Sequence, residues 1–219
     1  MAVFFDALGT LVELRPPGPR LVALLGEAGF EVSDERAAGA FAAEIAYYLD
    51  HHLEGRDAES LDELRDRCAE VLRDALAVPG LGHAETRRAM LGSLRFEPVP
   101  EALDVLAGLR AEGHAMLIVS NWDCSLPEWL AHTGLLELVE SVLTSASAGS
   151  AKPDPGIFER ALQLVGARAD QTLHVGDSIE NDIAGARAAG IRPVLVRHDG
   201  PAPPGVETIA TLRELPALL

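Results

Sequence analysis

Ala2-Val3-Phe4-Phe5-Asp6-Ala7-Leu8-Gly9-Thr10 is the stretch around which the rest of the chain is arranged. Residues 2–5 are wholly apolar, the composition of a strand covered on both faces. The run stops on a carboxylate, Asp6, with a turn residue, Gly9, and a hydroxyl, Thr10, close behind. Open α/β sheets hold their ligands beyond the carboxyl ends of parallel strands, so an acid there is a candidate for chemistry. Many strands end on an aspartate before a turn, and the stretch gains its weight from three later ones that end in a similar way.

The composition narrows what such a site could serve. At 219 residues, 48% of them hydrophobic, the chain is long enough for a full core. A net charge of -16 argues against nucleic acid, whose phosphates need a basic face, and gives no support for an anionic membrane. An anionic substrate must then be met by local positive charge or by a metal. Cys68 and Cys124 are too few for a disulfide framework and lack metal-ligand spacing. No charged leader precedes the first apolar run, and no segment approaches the roughly 18 apolar residues of a membrane helix. A cytoplasmic protein is expected. Of the 18 basic residues only Lys152 is a lysine, which singles out a place needing a compact ammonium in preference to a planar fork.

After Leu14 the breaker Arg-Pro-Pro-Gly-Pro at 15–19 leads into a stretch read as helical as far as Gly92. Pro19 marks the expected start of the first helix, which carries Leu21, Leu24 and Leu25 and stops at Gly29. Ser33 with Asp34 and Glu35 opens a second, with Phe41, Ile45 and Tyr48 on one stripe. Ser60 and Glu63 match a capping box for a third, reaching Ala77, and a short fourth covers 83–92. From Phe96 onward strand and helix alternate, with strands at 115–119, 142–144, 172–175, 194–196 and 208–210. Alternation of this kind implies a mostly parallel sheet with right-handed crossovers.

Parallel strands present the same end to one crevice. That crevice collects Asp6, then Ser120 with Asn121, then Lys152, then Asp177 with Asp182. Two acids and a backbone carbonyl suit a hard cation such as magnesium. A lysine and a serine hydroxyl suit phosphate oxygens, and Asp6 is left to attack as a nucleophile.

In these motifs the chain resembles the haloacid dehalogenase superfamily of hydrolases. Phe-Phe-Asp-Ala-Leu-Gly-Thr-Leu at 4–11 looks like its first motif and Val-Ser-Asn-Trp-Asp at 119–123 its second. Ala-Lys-Pro-Asp-Pro at 151–155 and Gly-Asp-Ser-Ile-Glu-Asn-Asp at 176–182 look like its third and fourth. The helical insertion is similar to the cap of the subgroup containing haloacid dehalogenases and phosphoglycolate-type phosphatases. The resemblance implies an α/β, Rossmann-like core at 1–14 and 94–219, with an all-helical cap at 15–93. It implies Asp6 as the nucleophile, Ser120 and Asn121 at the substrate, and Lys152 offsetting charge. Magnesium would be held by Asp6, the carbonyl of Leu8 and Asp177, with Thr10 and Asp182 in support.

Leu8 departs from that pattern. Phosphatases of the superfamily usually carry a second aspartate two residues after the nucleophile, as general acid and base. Dehalogenases lack it, because a halide leaves without a proton, yet the acidic fourth motif looks like the metal-using form. The expected activity is therefore a magnesium-dependent hydrolysis of small phosphorylated metabolites by a monomer or homodimer. The alternatives are a metal-free 2-haloacid dehalogenase and a binding protein of low turnover. Asp123 is read as a helix cap in preference to an acid catalyst, and Trp122 as a pocket wall or a buried aromatic. Tyr48 is read as core, His51 and His52 as packing or surface residues before substrate-selecting ones.

Overall fold

The computed structural model describes residues 1–197 and 200–219. β1 (Ala2–Phe5) is buried along its whole length, as a strand with apolar side chains on both faces must be. It sits inside a six-stranded sheet with β4 (Ala115–Ser120), β5 (Ser141–Thr144), β6 (Thr172–Gly176), β7 (Arg192–Val196) and β8 (Thr208–Ile209). The strand order is β5-β4-β1-β6-β7-β8, and every pairing is parallel. Phe5 is level with Ile118 on one side and Val175 on the other, so the residues that follow these strands gather at one end of the sheet. This is the α/β architecture that the alternating pattern implied.

One face of the sheet is closed by α8 (Pro155–Val165), whose Ile157, Phe158 and Ala161 cluster with Phe4, Leu117 and Val119. Burying a side chain such as Phe4 contributes about 1.5–3 kcal/mol. Asp154 starts α8 by accepting the amide of Gly156 at 2.7 Å, and Pro155 takes the first helical position, where its missing N–H costs nothing. Among the described residues no helix is long and apolar enough to cross a membrane.

The chain divides into two compact units, Met1–Glu13 with Glu97–Leu219, and Leu14–Phe96. Two short strands, β2 (Val12–Leu14) and β3 (Phe96–Pro98), pair where the chain passes from one unit to the other. The second unit is helical: α1 (Pro17–Glu27), α2 (Asp34–His51), α3 (Ala58–Leu76) and α4 (His83–Ser93). Leu21, Leu25, Phe41, Leu64, Leu72 and Met90 lie in its own apolar core.

Two helix starts differ from those read in the sequence. α1 begins at Pro17 and not at Pro19, because the rigid prolines already hold helical φ. α3 begins at Ala58: the capping box is formed by Asp57 and Ser60, not by Ser60 and Glu63. Asp57 is the extended residue, its carboxylate accepting the Ser60 amide at 2.9 Å, so Ser60 is already inside the helix. Near the end of α2, His51 stacks on Tyr47 with ring centroids 3.9 Å apart, and its Nδ1 lies 2.7 Å from the Tyr47 carbonyl. His52 Nδ1 lies 2.8 Å from the Leu49 carbonyl. Both histidines thus have local packing partners.

Glu44 of α2 is buried in this unit, and burial pushes its carboxyl up to about 7, with the hydrogen bond from Cys68 pulling the other way. A carboxyl whose pKa is raised by folding holds its proton better in the folded state. Its contribution is complete below the ordinary carboxylate value and is lost as pH rises through about 7. The loss is about 3 kcal/mol between pH 4 and pH 8, since each tenfold gain in proton affinity is worth roughly 1.36 kcal/mol. Urea denaturation followed by circular dichroism should show the helical unit weakening over that range, and Glu44→Gln should flatten the profile.

Candidate active site

Each strand end contributes a particular side chain because the strand stops where its apolar run stops. Asp6 follows β1, its amide held by the Val175 carbonyl at 2.9 Å, and its side chain is buried. Ser120, the last residue of β4, donates its hydroxyl to Asp6 Oδ1 at 2.9 Å. Lys152 Nζ donates to the same oxygen at 2.6 Å and to Asp182 Oδ1 at 2.5 Å. The only lysine of the chain is therefore buried between two carboxylates.

Asn121 does not project freely beside Ser120. Its Nδ2 donates to the Lys152 carbonyl at 2.9 Å and its Oδ1 accepts the Lys152 amide at 2.8 Å. The amide that sequence assigned to the substrate is in this structure a clamp on the lysine's backbone. Thr10 is buried in the turn after Asp6, and its hydroxyl has no hydrogen-bond partner among the described residues. Leu8, in the same turn, is 42% exposed.

The fourth stretch does not open as a regular α-helix. Residues Ile179–Ala184 form a π-type turn that runs into α9 (Gly185–Ala188). The Ser178 carbonyl accepts both the Asp182 amide at 3.0 Å and the Ile183 amide at 3.1 Å, which widens the turn. Asp182 is thereby buried, with Oδ2 accepting the Ser178 amide at 3.0 Å. Asp177 stays at the exposed rim. A methyl group on Gly9, which has φ +83, would sit 2.2 Å from Asp177 Oδ2, so only glycine allows the two turns to approach this closely.

The second stretch places Asp123 in a turn, its Oδ1 accepting the Ser125 amide at 2.7 Å and the Ser125 hydroxyl at 2.6 Å. Asp123 thus closes the turn leading into α6 (Leu126–Thr133) and is not its cap as read in the sequence: Ser125 holds the N-cap position, with no side-chain cap hydrogen bond. Trp122 is buried, its backbone tied on both sides to the Ser145 hydroxyl.

Sequence reasoning passed over His174. It lies in the middle of β6 and its Nε2 is 2.9 Å from Asp182 Oδ1. The signal that could have found it was one imidazole inside an otherwise apolar buried run, Leu-His-Val.

The charges are unevenly supported. Burial works against the Lys152 ammonium, but Asp6 and Asp182 outweigh it and raise its pKa above the ordinary lysine value. Asp182 is buried too, yet Lys152 and His174 hold its carboxyl well below the usual range. Asp6 has fewer donors, and burial raises it despite Lys152 and Ser120. Asp182 is thus the settled anion of the pair and Asp6 the more basic one. Asp177 is pushed up to about 6 by partial burial and by the charges of Asp6 and Asp182. Carboxylate oxygens of Asp6, Asp177 and Asp182 all lie within 4.8 Å of one another. Three acids so crowded, facing one ammonium, are a donor set that a hard divalent cation fits.

The haloacid dehalogenase-like hydrolase family model matches residues 1–190, and the chain belongs to that family of hydrolases. A relative from Bos taurus, haloacid dehalogenase-like hydrolase domain-containing protein 3, is 40% identical over 136 residues, 62% of this chain and 54% of its own. The phosphoglycolate phosphatase of Cupriavidus necator is 37% identical over 153 residues, 67% of this chain and 64% of that one. The chain spans about half the length of the first curated relatives it matches. In fold it is similar to a defluorinating L-2-haloacid dehalogenase, with a TM-score of 0.76, 21% identity, and coverage of 100% of this chain and 94% of that one.

Proposed function

We propose that the chain is a magnesium-dependent phosphatase of small phosphorylated metabolites, acting through a phosphoryl group carried on Asp6. The observation that carries this reading is the cluster of Asp6, Asp177 and Asp182 around the single ammonium of Lys152. Similarity to a phosphoglycolate phosphatase supports it.

Asp6 Oδ1 is occupied by Ser120 and Lys152, which leaves Oδ2 to attack phosphorus. The bond from phosphorus to the leaving oxygen breaks, and the phosphoryl group rests on the carboxylate until water cleaves it off. Lys152 offsets the charge that develops on Asp6 and on the phosphoryl oxygens. Asp6, Asp177 and the Leu8 carbonyl would hold magnesium, which supplies positive charge to the substrate phosphate, while Asp182 keeps Lys152 in line. The helical unit Leu14–Phe96 is assigned the part of selecting the substrate.

Calorimetry with magnesium is expected to show binding to the wild type and none to the Asp177→Ala variant; equal binding would remove this ligand set. Hydrolysis across a panel of phosphate esters should stop when a chelator replaces magnesium. A second reading, 2-haloacid dehalogenase, is favoured by one feature, the side chain of Leu8, which has no proton to give. It requires halide release from 2-chloropropionate in the presence of chelator.

A further inference from the structure

His174 is fully buried in β6, and the phosphoryl-transfer scheme has no use for it. Its neighbours Leu173 and Val175 show what packing alone would place there. An imidazole in this position leaves Nδ1 buried with no hydrogen-bond partner among the described residues, a cost that an aliphatic side chain would avoid. The other ring nitrogen therefore holds the explanation. Nε2 faces Asp182 Oδ1 at 2.9 Å, and a carboxylate oxygen only accepts, so the hydrogen lies on Nε2. Burial keeps the ring neutral, and Phe158 fixes its plane edge-on, with centroids 4.9 Å apart.

The oxygen that receives His174 is also the one that holds Lys152 at 2.5 Å. Asp182 and Asp6 compete for one ammonium, and every additional donor to Asp182 Oδ1 weakens its pull on that ammonium. We infer that His174 is a positioning residue: by donating to Asp182 Oδ1 it balances Lys152 between the two carboxylates and keeps Nζ on Asp6 Oδ1, where charge develops during transfer. The kinetic side of this inference rests on the phosphatase reading; the hydrogen bond itself does not.

The test has two arms. Nitrogen-15 NMR of the wild-type protein should show His174 as the neutral Nε2–H tautomer. An Nδ1–H tautomer overturns the proposal, whatever the protein hydrolyses. In the second arm, turnover of an aryl phosphate is compared for wild type, His174→Leu and His174→Gln. Loss of the donor in His174→Leu is expected to lower kcat by about 10–100-fold, the usual effect of removing an outer hydrogen-bond partner, with KM unchanged. His174→Gln, which keeps an N–H near the same place, should recover most of the loss. Equal impairment of the two variants would mean that the position matters for packing alone and would overturn the proposal, as would unchanged kcat in His174→Leu. A wild type inert toward every phosphate ester would remove the phosphatase reading, and the tautomer would still decide the hydrogen bond.

Discussion

Turnover of a phosphate ester by Asp6→Asn is expected to fall by about 10⁵–10⁶-fold, the scale on which the loss of a covalent nucleophile is felt. The substitution is nearly isosteric, and its amide oxygen still accepts from Ser120. Lys152 keeps Asp182 as a charged partner, so the change does not leave an uncompensated buried ammonium, which would itself cost about 3–5 kcal/mol. Circular dichroism should therefore show a folded protein. An amide oxygen is a poor nucleophile and cannot carry the phosphoryl group to hydrolysis, so the chemistry stops while the architecture persists. In a crystal of the wild type, a beryllium–fluoride mimic of the phosphoryl group should attach to the Asp6 carboxylate. Substantial activity in a clean Asp6→Asn preparation would move the nucleophile elsewhere.

Leu8→Asp has the next largest expected effect, and its sign is a gain. A leucine protonates nothing, so the wild type should work well only on esters whose leaving group departs unprotonated. An aryl phosphate releases a stabilised phenolate and should be hydrolysed far faster than an alkyl phosphate. A carboxyl group at residue 8 would supply the missing proton, and the exposure of that side chain leaves it room. The alkyl rate should rise by about 10²–10⁴-fold, the usual worth of a general acid. The aryl rate should change much less, because that leaving group needs little help. Equal rates on the two ester classes in the wild type would mean that another residue already gives the proton. A dehalogenase would gain nothing from the substitution.

Part of this site was readable from the chain alone. Ala2–Phe5 had to be an interior strand because no polar residue interrupts it, and an interior parallel strand has its carboxyl end at the ligand crevice. The same logic brought Ser120, Lys152 and Asp177 to that end, and the structure gathers them there. The solitary lysine was legible as a special position because composition offered arginine everywhere else.

What sequence left open were matters of side-chain direction. Asn121 is an amide beside Ser120 in the chain, and only the fold shows both its polar ends spent on the backbone of Lys152. Asp57 and Ser60 are interchangeable as caps on propensity, and the extended backbone at Asp57 decides between them. His174 and Asp182 are eight residues apart and of ordinary type; their meeting depends on the widened turn at Ile179–Ala184, a backbone feature no residue pattern announces. Sequence by itself determined the six strands of the main sheet, though not the short pair β2 and β3, together with their common end and the residue types delivered there, because burial dictates where apolar runs start and stop. The tertiary structure alone decided which oxygen each donor meets, and hence that Asp182 is the settled anion and Asp6 the more basic carboxylate, because hydrogen-bond partners are set by tenths of an ångström in packing.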